Sequence, residues 1–396
     1  MGGHAIISGG SVAGLFAAAA LRTAGWSVDV YERTAVELSG RGAGIVTHPQ
    51  LIAALTRVGA DISDLGVETH QRAVFDKVGQ VVETMDFEQV VTSWNRIHHM
   101  LRAMLPDECH HLGRMITGYR QDDRAIAVFE DGSHAEADLL IGADGFRSAI
   151  RAQMLPDIRP EYSGYLVWRA LVDEADLPLK TKAQVFERFS FFIPNGQQII
   201  GYPIAGEGND LRPGHRRYNF VWYTPADAAM LDDMLTDAEG QRHSLTISPP
   251  LVRDDVIQRM RDLAARVLPP PFVEILDRSE RPFFTPIYDH LSPTMADGRI
   301  ALAGDAACVA RPHVGMGVTK AAEDALALAD NLGSRPVPEA LAAYSAQRVP
   351  AARAAFERSR WLGGCIFEAP ASGDNSDGRS NPNIDAIMRL TAIADF

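Results

Sequence analysis

A short apolar run at residues 5 to 8 leads straight into Gly9-Gly10-Ser11-Val12-Ala13-Gly14, and this glycine turn constrains the fold more than any other stretch. Beyond it, Val12, Leu15, Phe16, Ala19 and Ala20 recur at the period of a helix with one buried face, and Gly25 suits a left-handed cap at its end. A second strand, Ser27 to Tyr31, closes on Glu32, eighteen residues after Gly14. Strand, glycine turn, helix and acid-ended strand in this order predict a Rossmann-like α/β unit holding an ADP-containing cofactor. Gly9 permits the tight turn, Gly14 lets helix and strand approach, and the helix N-terminus offers free N–H groups to a pyrophosphate. Ser11 takes the second glycine position of the fingerprint and adds a hydroxyl, while Glu32 can accept hydrogen bonds from a ribose diol. An acid at that strand end, with Arg33 beside it, favours FAD or NAD over NADP as the tightly held molecule.

Two later stretches repeat the arrangement. Asp138 to Gly142 reads as a strand ending in Ala143-Asp144-Gly145-Phe146-Arg147, with Ser148 near the start of a helix. Ile300 to Ala303 is an apolar run stopped by Gly304-Asp305, followed by Arg311-Pro312-His313 and by Gly315-Met316-Gly317, which opens a helix through Val318, Ala321, Ala322, Ala325 and Ala329. Three strand ends of one kind predict a sheet whose C-terminal edge lines one ligand crevice. Between them, Ser39-Gly40-Arg41-Gly42-Ala43-Gly44-Ile45-Val46-Thr47-His48-Pro49 brings the backbone close to something flat or phosphate-bearing, or turns sharply, and Pro49 suits a first helical turn.

From about Glu161 to Phe284 the chain changes character and becomes aromatic and β-like, with Trp168-Arg169, Tyr202, Phe220, Trp222 and Tyr223 in short runs. Tyr218, Phe220 and Trp222 share one strand face, which is either core or a cover over a planar substrate. Asp232 to Glu239 and Val256 to Val267 read as helices, as does the alanine-rich stretch from Ala325 to about Gly364. Glu368 to Asn383 reads as a surface loop before a last short helix. His98, His99, His110 and His111 lack metal-site spacing and read as exposed helix and loop residues.

The formal charge of −13 argues against nucleic acid or an anionic membrane as a partner, since either needs clustered Lys and Arg. The three cysteines, Cys109, Cys308 and Cys365, form no paired motif, no apolar run could span a bilayer, and no signal-type segment opens the chain, so a cytoplasmic protein is expected.

With the three motifs in this order over residues 5 to 325, the chain resembles the FAD-dependent aromatic hydroxylases typified by para-hydroxybenzoate hydroxylase. Ser39-Gly40, Gly42, Gly44-Ile45-Val46, Gly201-Tyr202-Pro203-Ile204 and Arg311-Pro312-His313 are similar to the 2,6-dihydroxypyridine 3-hydroxylase branch. Three features depart from the family pattern: Ser11, Cys308 where many members carry His, and a helix-starting Arg for which Arg96 or His98 is the nearest counterpart. The resemblance implies a discontinuous FAD-binding domain (1–72, 92–160 and 280–335), a mixed β-sheet substrate domain (73–91 and 161–279) and a C-terminal helical segment (336–396). It implies FAD as the resident cofactor and NADH or NADPH as a transient one. It also implies a single-component monooxygenase that hydroxylates an electron-rich ring, a hydroxypyridine or phenol, with O2 through a flavin C4a-hydroperoxide, as a monomer or homodimer.

Carried over by residue, the resemblance gives Gly9, Ser11, Val12, Ala13 and Gly14 to the pyrophosphate, Glu32 and Arg33 to the adenosine, and Gly304-Asp305 to the ribityl chain. Gly44, Ile45 and Val46 line the flavin, Asp144 and Arg147 mark where FAD and the NADPH path meet, and Gly315, Gly317 and Val318 face the pyrimidine edge. His48, Tyr202 and His313 are the candidates for the general base; Arg169, Trp222 and Pro312 are candidates for substrate contact. A same-fold reductase or dehydrogenase that does not use O2, and a non-catalytic dinucleotide-binding protein, fit the same motifs.

Overall fold

The computed structural model describes residues 2–38, 44–368, 381 and 383–394. The glycine-rich segment 39–43 and most of the polar stretch 368–383 therefore lie outside the described residues, and those two readings stop there. Among the described residues the strands form a six-stranded, a nine-stranded and a three-stranded sheet.

The six-stranded sheet runs Ala296–Asp297, Ile300–Leu302, Leu139–Gly142, His4–Ser8, Ser27–Glu32, His110–Leu112. Its inner strands pair in parallel, with Ile7 opposite both Ile141 and Val30, and they are nearly all buried apolar residues, as a sheet covered on both faces requires. Three of its strand ends carry the predicted turns, so the Gly9, Ala143-Asp144 and Gly304-Asp305 segments emerge side by side. The helix Val12–Thr23 follows the first turn and packs on the helix Gly317–Leu332, which follows the third. A Cβ on Gly14 would lie 1.9 Å from the Gly9 carbonyl oxygen, so only glycine allows that approach.

The nine-stranded sheet runs Cys308–Val309, Phe283–Leu291, Glu161–Asp173, Arg217–Pro225, Gln198–Ile204, Phe189–Phe192, Val67–Phe75, Val81–Ser93, Gly44–Val46. It draws on more of the chain than 73–91 and 161–279, because both ends recruit strands from around the cofactor motifs. Its two faces are each buried, and alternate residues divide between them. Leu166, Trp168, Phe220 and Trp222 pack with the helices Asp254–Val267 and Pro270–Arg278. Val167, Phe189, Tyr202, Val221 and Tyr223 form the opposite face.

Several local expectations change. The helix expected over Asp232 to Glu239 is Ala228–Met234, because the Asp227 carboxylate caps it by accepting the Met230 amide at 2.8 Å. The alanine-rich stretch is broken after Leu332 and resumes as Val337–Phe367. His98 is buried, with Nε2 at 3.2 Å from the Gly10 carbonyl oxygen, and stacks on Trp94.

Candidate functional site

Two cavities meet at the C-terminal edge of the six-stranded sheet. The first, of ≈ 330 Å³, is lined by Gly9, Glu32, Arg33, Asp144 and Arg147; the second, of ≈ 340 Å³, lies between that edge and the nine-stranded sheet. Ser11, Ala143, Gly145 and Asp305 border both, so together they make one extended, bent groove.

The first cavity is shaped by the glycine turn. Gly9 has φ +109°, and Glu32 accepts the Gly10 amide at 2.9 Å and the Thr34 amide at 2.9 Å. Burial works against an ionised Glu32, but these amides outweigh it and hold its carboxyl below the usual range. Ser11 caps the helix Val12–Thr23 without a side-chain bond to it, which leaves the N-terminal amides of that helix facing the groove. Asp144 accepts the Ala149 amide at 2.8 Å, and burial raises its carboxyl pKa. Arg147 is committed across the groove, donating to the Ser244 carbonyl and the Thr246 hydroxyl, each at 2.7 Å.

In the second cavity Gly44, Ile45 and Val46 form one side, and Pro312, Gly315, Gly317 and Val318 another. The helix Gly317–Leu332 opens here with no side-chain cap, so its first amides are available. Behind this wall Gly304 is gripped at both ends: the Asp324 carboxylate accepts its amide at 3.0 Å, and Lys320 Nζ donates to its carbonyl at 2.7 Å. Opposite stand Arg169, Ile200, Tyr202, Val221 and Tyr223 on the nine-stranded sheet. The Tyr202 ring stacks on Phe189 at 4.8 Å, and a Cβ on Gly44 would lie 2.7 Å from its hydroxyl, so Gly44 is required by Tyr202. Burial raises the Tyr202 pKa and pushes Tyr223 up to about 12, while the Arg169 guanidinium pulls both the other way. Both tyrosines are thus neutral donors at physiological pH beside a cation.

Three sequence candidates do not line this cavity. Trp222 points to the other face of its strand, wholly buried, with Nε1 donating to Gln197 Oε1 at 3.0 Å; the period of two gives the cavity to Val221 and Tyr223 instead. His313 lies one layer behind, wholly buried, with Nε2 at 2.8 Å from the Tyr165 hydroxyl, and burial drives its pKa to about 3. His48 is buried beneath Gly315, with Nδ1 at 2.8 Å from the Thr319 hydroxyl. The cavity also contains residues the sequence did not single out: Trp94, Tyr223, Thr391 and Ala392. Trp94 opens the helix Trp94–Ala103, so neither Arg96 nor His98 takes the helix-starting place beside the groove.

The groove fits a flavin dinucleotide. Its length is divided between a phosphate-binding glycine turn and a wider apolar chamber, two uncapped helix N-termini face it, and added Cβ atoms at Gly9, Gly14 and Gly44 would fill or distort it. A family model described as FAD binding domain-like matches residues 162–289. The 2,6-dihydroxypyridine 3-monooxygenase of Paenarthrobacter nicotinovorans is 32% identical over 327 residues, 82% of this chain and 81% of that protein.

The chain belongs to the FAD-dependent aromatic hydroxylases.

Solved structures of family members agree with this fold. The 2,6-dihydroxypyridine-3-hydroxylase from Arthrobacter nicotinovorans superposes with a TM-score of 0.87 at 29% identity, covering 93% of each chain. Klebsiella pneumoniae HpxO, solved with FAD and uric acid, superposes at 0.76 with 23% identity, covering 98% of this chain and 92% of that one, and shows the shared fold. No helix among the described residues is long and apolar enough to cross a membrane.

Proposed function

We propose that this protein is a single-component FAD monooxygenase that hydroxylates an electron-rich ring of the hydroxypyridine or phenol type, with NAD(P)H and O2. One oxygen atom enters a ring C–H bond, the other leaves as water, and NAD(P)H supplies the two electrons. The observation that carries this reading is the pairing, in one chamber, of a cofactor edge with a wall that sets Arg169 among Tyr202 and Tyr223. When bound, the flavin supplies the redox and oxygen chemistry.

The chain's own residues orient and insulate. When FAD is bound, Glu32 and the amides after Ser11 would hold its adenosine and pyrophosphate end, Asp305 its ribityl chain, and the amides from Gly315 to Val318 would favour negative charge at its pyrimidine edge. Arg169 favours the ionised form of a ring hydroxyl, whose proton passes to solvent water as the ring enters, while Tyr202 and Tyr223 donate hydrogen bonds to ring substituents. Trp94, Phe189, Ile200 and Val221 keep water off the reacting carbon. His48 and His313 support the walls from behind, and neither serves as the general base. Relatives named for 2,6-dihydroxypyridine and urate support a hydroxylated nitrogen heterocycle as substrate. The nine-stranded sheet is the substrate half, and the cytoplasm supplies the reductant.

The test is a screen of hydroxypyridines, purines and phenols for stimulated NAD(P)H oxidation by the FAD-loaded protein, with product mass measured. A product heavier by one oxygen atom is expected. Substrate-dependent NAD(P)H oxidation that proceeds unchanged without O2 would establish a reductase or dehydrogenase instead.

A further inference from the structure

The short helix Ile384–Leu390 ends on Thr391 and Ala392, and both line the chamber that holds Arg169, Tyr202 and Tyr223. The helix rests on the inner face of the nine-stranded sheet, where Ile384, Ile387 and Met388 share an apolar cluster with Phe189 and Tyr202.

Arg72, wholly buried on the strand Val67–Phe75, fixes the end of this helix. Its Nη1 donates to the Met388 carbonyl at 2.6 Å and the Thr391 carbonyl at 2.8 Å, and its Nη2 donates to Gln89 Oε1 at 3.2 Å. Gln89 in turn donates to the Ala392 carbonyl at 3.4 Å, and the Ala392 amide donates to the His313 carbonyl at 2.8 Å. Among the described residues no carboxylate lies within ion-pair distance of Arg72, and burial lowers its pKa to about 10, so it is still a cation at neutral pH. Its charge is met by the unpaired carbonyls of a helix C-terminus and by the Phe87 ring, 4.2 Å from the guanidinium carbon. Burying a cation without an acid is costly, and here that cost is spent on one turn of chain. That turn is itself strained: Ala392 has φ 56°, a left-handed conformation that an L residue rarely adopts.

We infer that Thr391 and Ala392 form a specificity wall of the ring chamber, and that Arg72 is the positioning residue that sets it. The inference rests on the reading of this chamber as the hydroxylation site. The wall also abuts the cofactor turn, since a Cβ on Gly315 would lie 3.2 Å from the Ala392 Cβ. A displaced wall would therefore admit larger rings and water together.

Two variants of the full-length, FAD-loaded protein test this. Arg72→Lys keeps the charge but cannot span two carbonyls and Gln89. Thr391→Leu enlarges the wall and leaves Arg72 alone. The readouts are FAD content, hydrogen exchange over 384–392, ring affinity from the flavin absorbance change with one-ring and two-ring hydroxyheterocycles, and the fraction of NAD(P)H recovered as hydroxylated product rather than hydrogen peroxide. Arg72→Lys is expected to keep FAD, exchange ~10-fold faster over 384–392, bind the one-ring ligand ~10-fold more weakly and release more peroxide. Thr391→Leu is expected to keep FAD and wild-type exchange, and to lose affinity for two-ring ligands more than for one-ring ligands.

Faster exchange in Arg72→Lys with unchanged affinity and coupling would make Arg72 merely structural and overturn its role. Wild-type ring preference in Thr391→Leu would overturn the wall, and that variant carries the test if Arg72→Lys does not fold. A wild-type protein that binds rings yet oxidises no NAD(P)H would defeat the hydroxylase reading alone, because binding and exchange still report on the wall.

Discussion

Asp324, wholly buried, accepts the Gly304 amide at 3.0 Å. Lys320 holds the carbonyl of the same glycine, and Arg348 Nε donates to the Asp324 carboxylate at 2.7 Å. Asp305 reaches the groove from the residue that follows this clamp.

Lys320→Met should therefore loosen the turn that presents Asp305. Removing one member of a buried charged cluster leaves the others undercompensated and is expected to cost about 3 kcal/mol. Thermal unfolding and FAD retained after gel filtration measure the two effects, and Asp305→Ala should lose FAD with a much smaller change in stability.

Neighbouring residues of one strand should separate stability from recognition. Trp222→Phe removes the bond to Gln197 and packing volume from the outer core, and should cost about 2 kcal/mol while leaving KM unchanged. Tyr223→Phe should do the reverse, raising KM several-fold, about 1 kcal/mol in binding, without moving the unfolding midpoint. Equal KM values for the two variants would contradict the assignment of faces.

Gly44→Ala tests the fit of Tyr202 directly. The added Cβ would stand 2.5 Å from a ring carbon of Tyr202, so the ring must shift. Turnover should fall by ~10- to 100-fold with FAD still bound, as expected when a substrate-positioning group moves by about an ångström. Full activity in this variant would remove Tyr202 from the substrate wall.

Acid should destabilise the fold through buried histidines. His290 and His313 both have pKa values driven down to about 3, first by burial and then by a neighbouring arginine, Arg151 and Arg311 respectively. The unfolded chain takes up these protons near its ordinary pKa of about 6.5. Between the two values the unfolded state binds more protons, so stability is present above about pH 6.5 and is lost as pH falls, by up to ~1.4 kcal/mol per pH unit for each histidine. Urea unfolding at about pH 4 and about pH 7 should show a shallower dependence in His290→Gln than in the wild type.

The three strand-end turns were legible because their signals are local. Glycine, acid and helix period follow one another within a single strand-turn-helix unit at Gly9, Asp144 and Gly304, and each turn reports its own geometry. The facing of the nine-stranded sheet was not, because both its faces are buried: Tyr218 to Thr224 are buried without interruption, so polarity does not alternate and cannot tell Trp222 from Tyr223. The burial of the candidate histidines was hidden for a related reason. What removes His313 from the chamber is Tyr165, a partner 148 residues away that no spacing rule reveals. Thr391 and Ala392 lie in the chamber far along the sequence from its other walls, held there by Arg72, Gln89 and the His313 carbonyl.

The order of strands in the six-stranded sheet also dictates when the protein can become functional. His4–Ser8 is hydrogen-bonded to Leu139–Gly142, which is bonded in turn to Ile300–Leu302. The first motif to leave the ribosome thus waits for the last, and a folding route dominated by such distant pairings is slow. The groove needs the turns after all three strands, so it cannot take up its cofactor before Ile300–Leu302 has been made and paired.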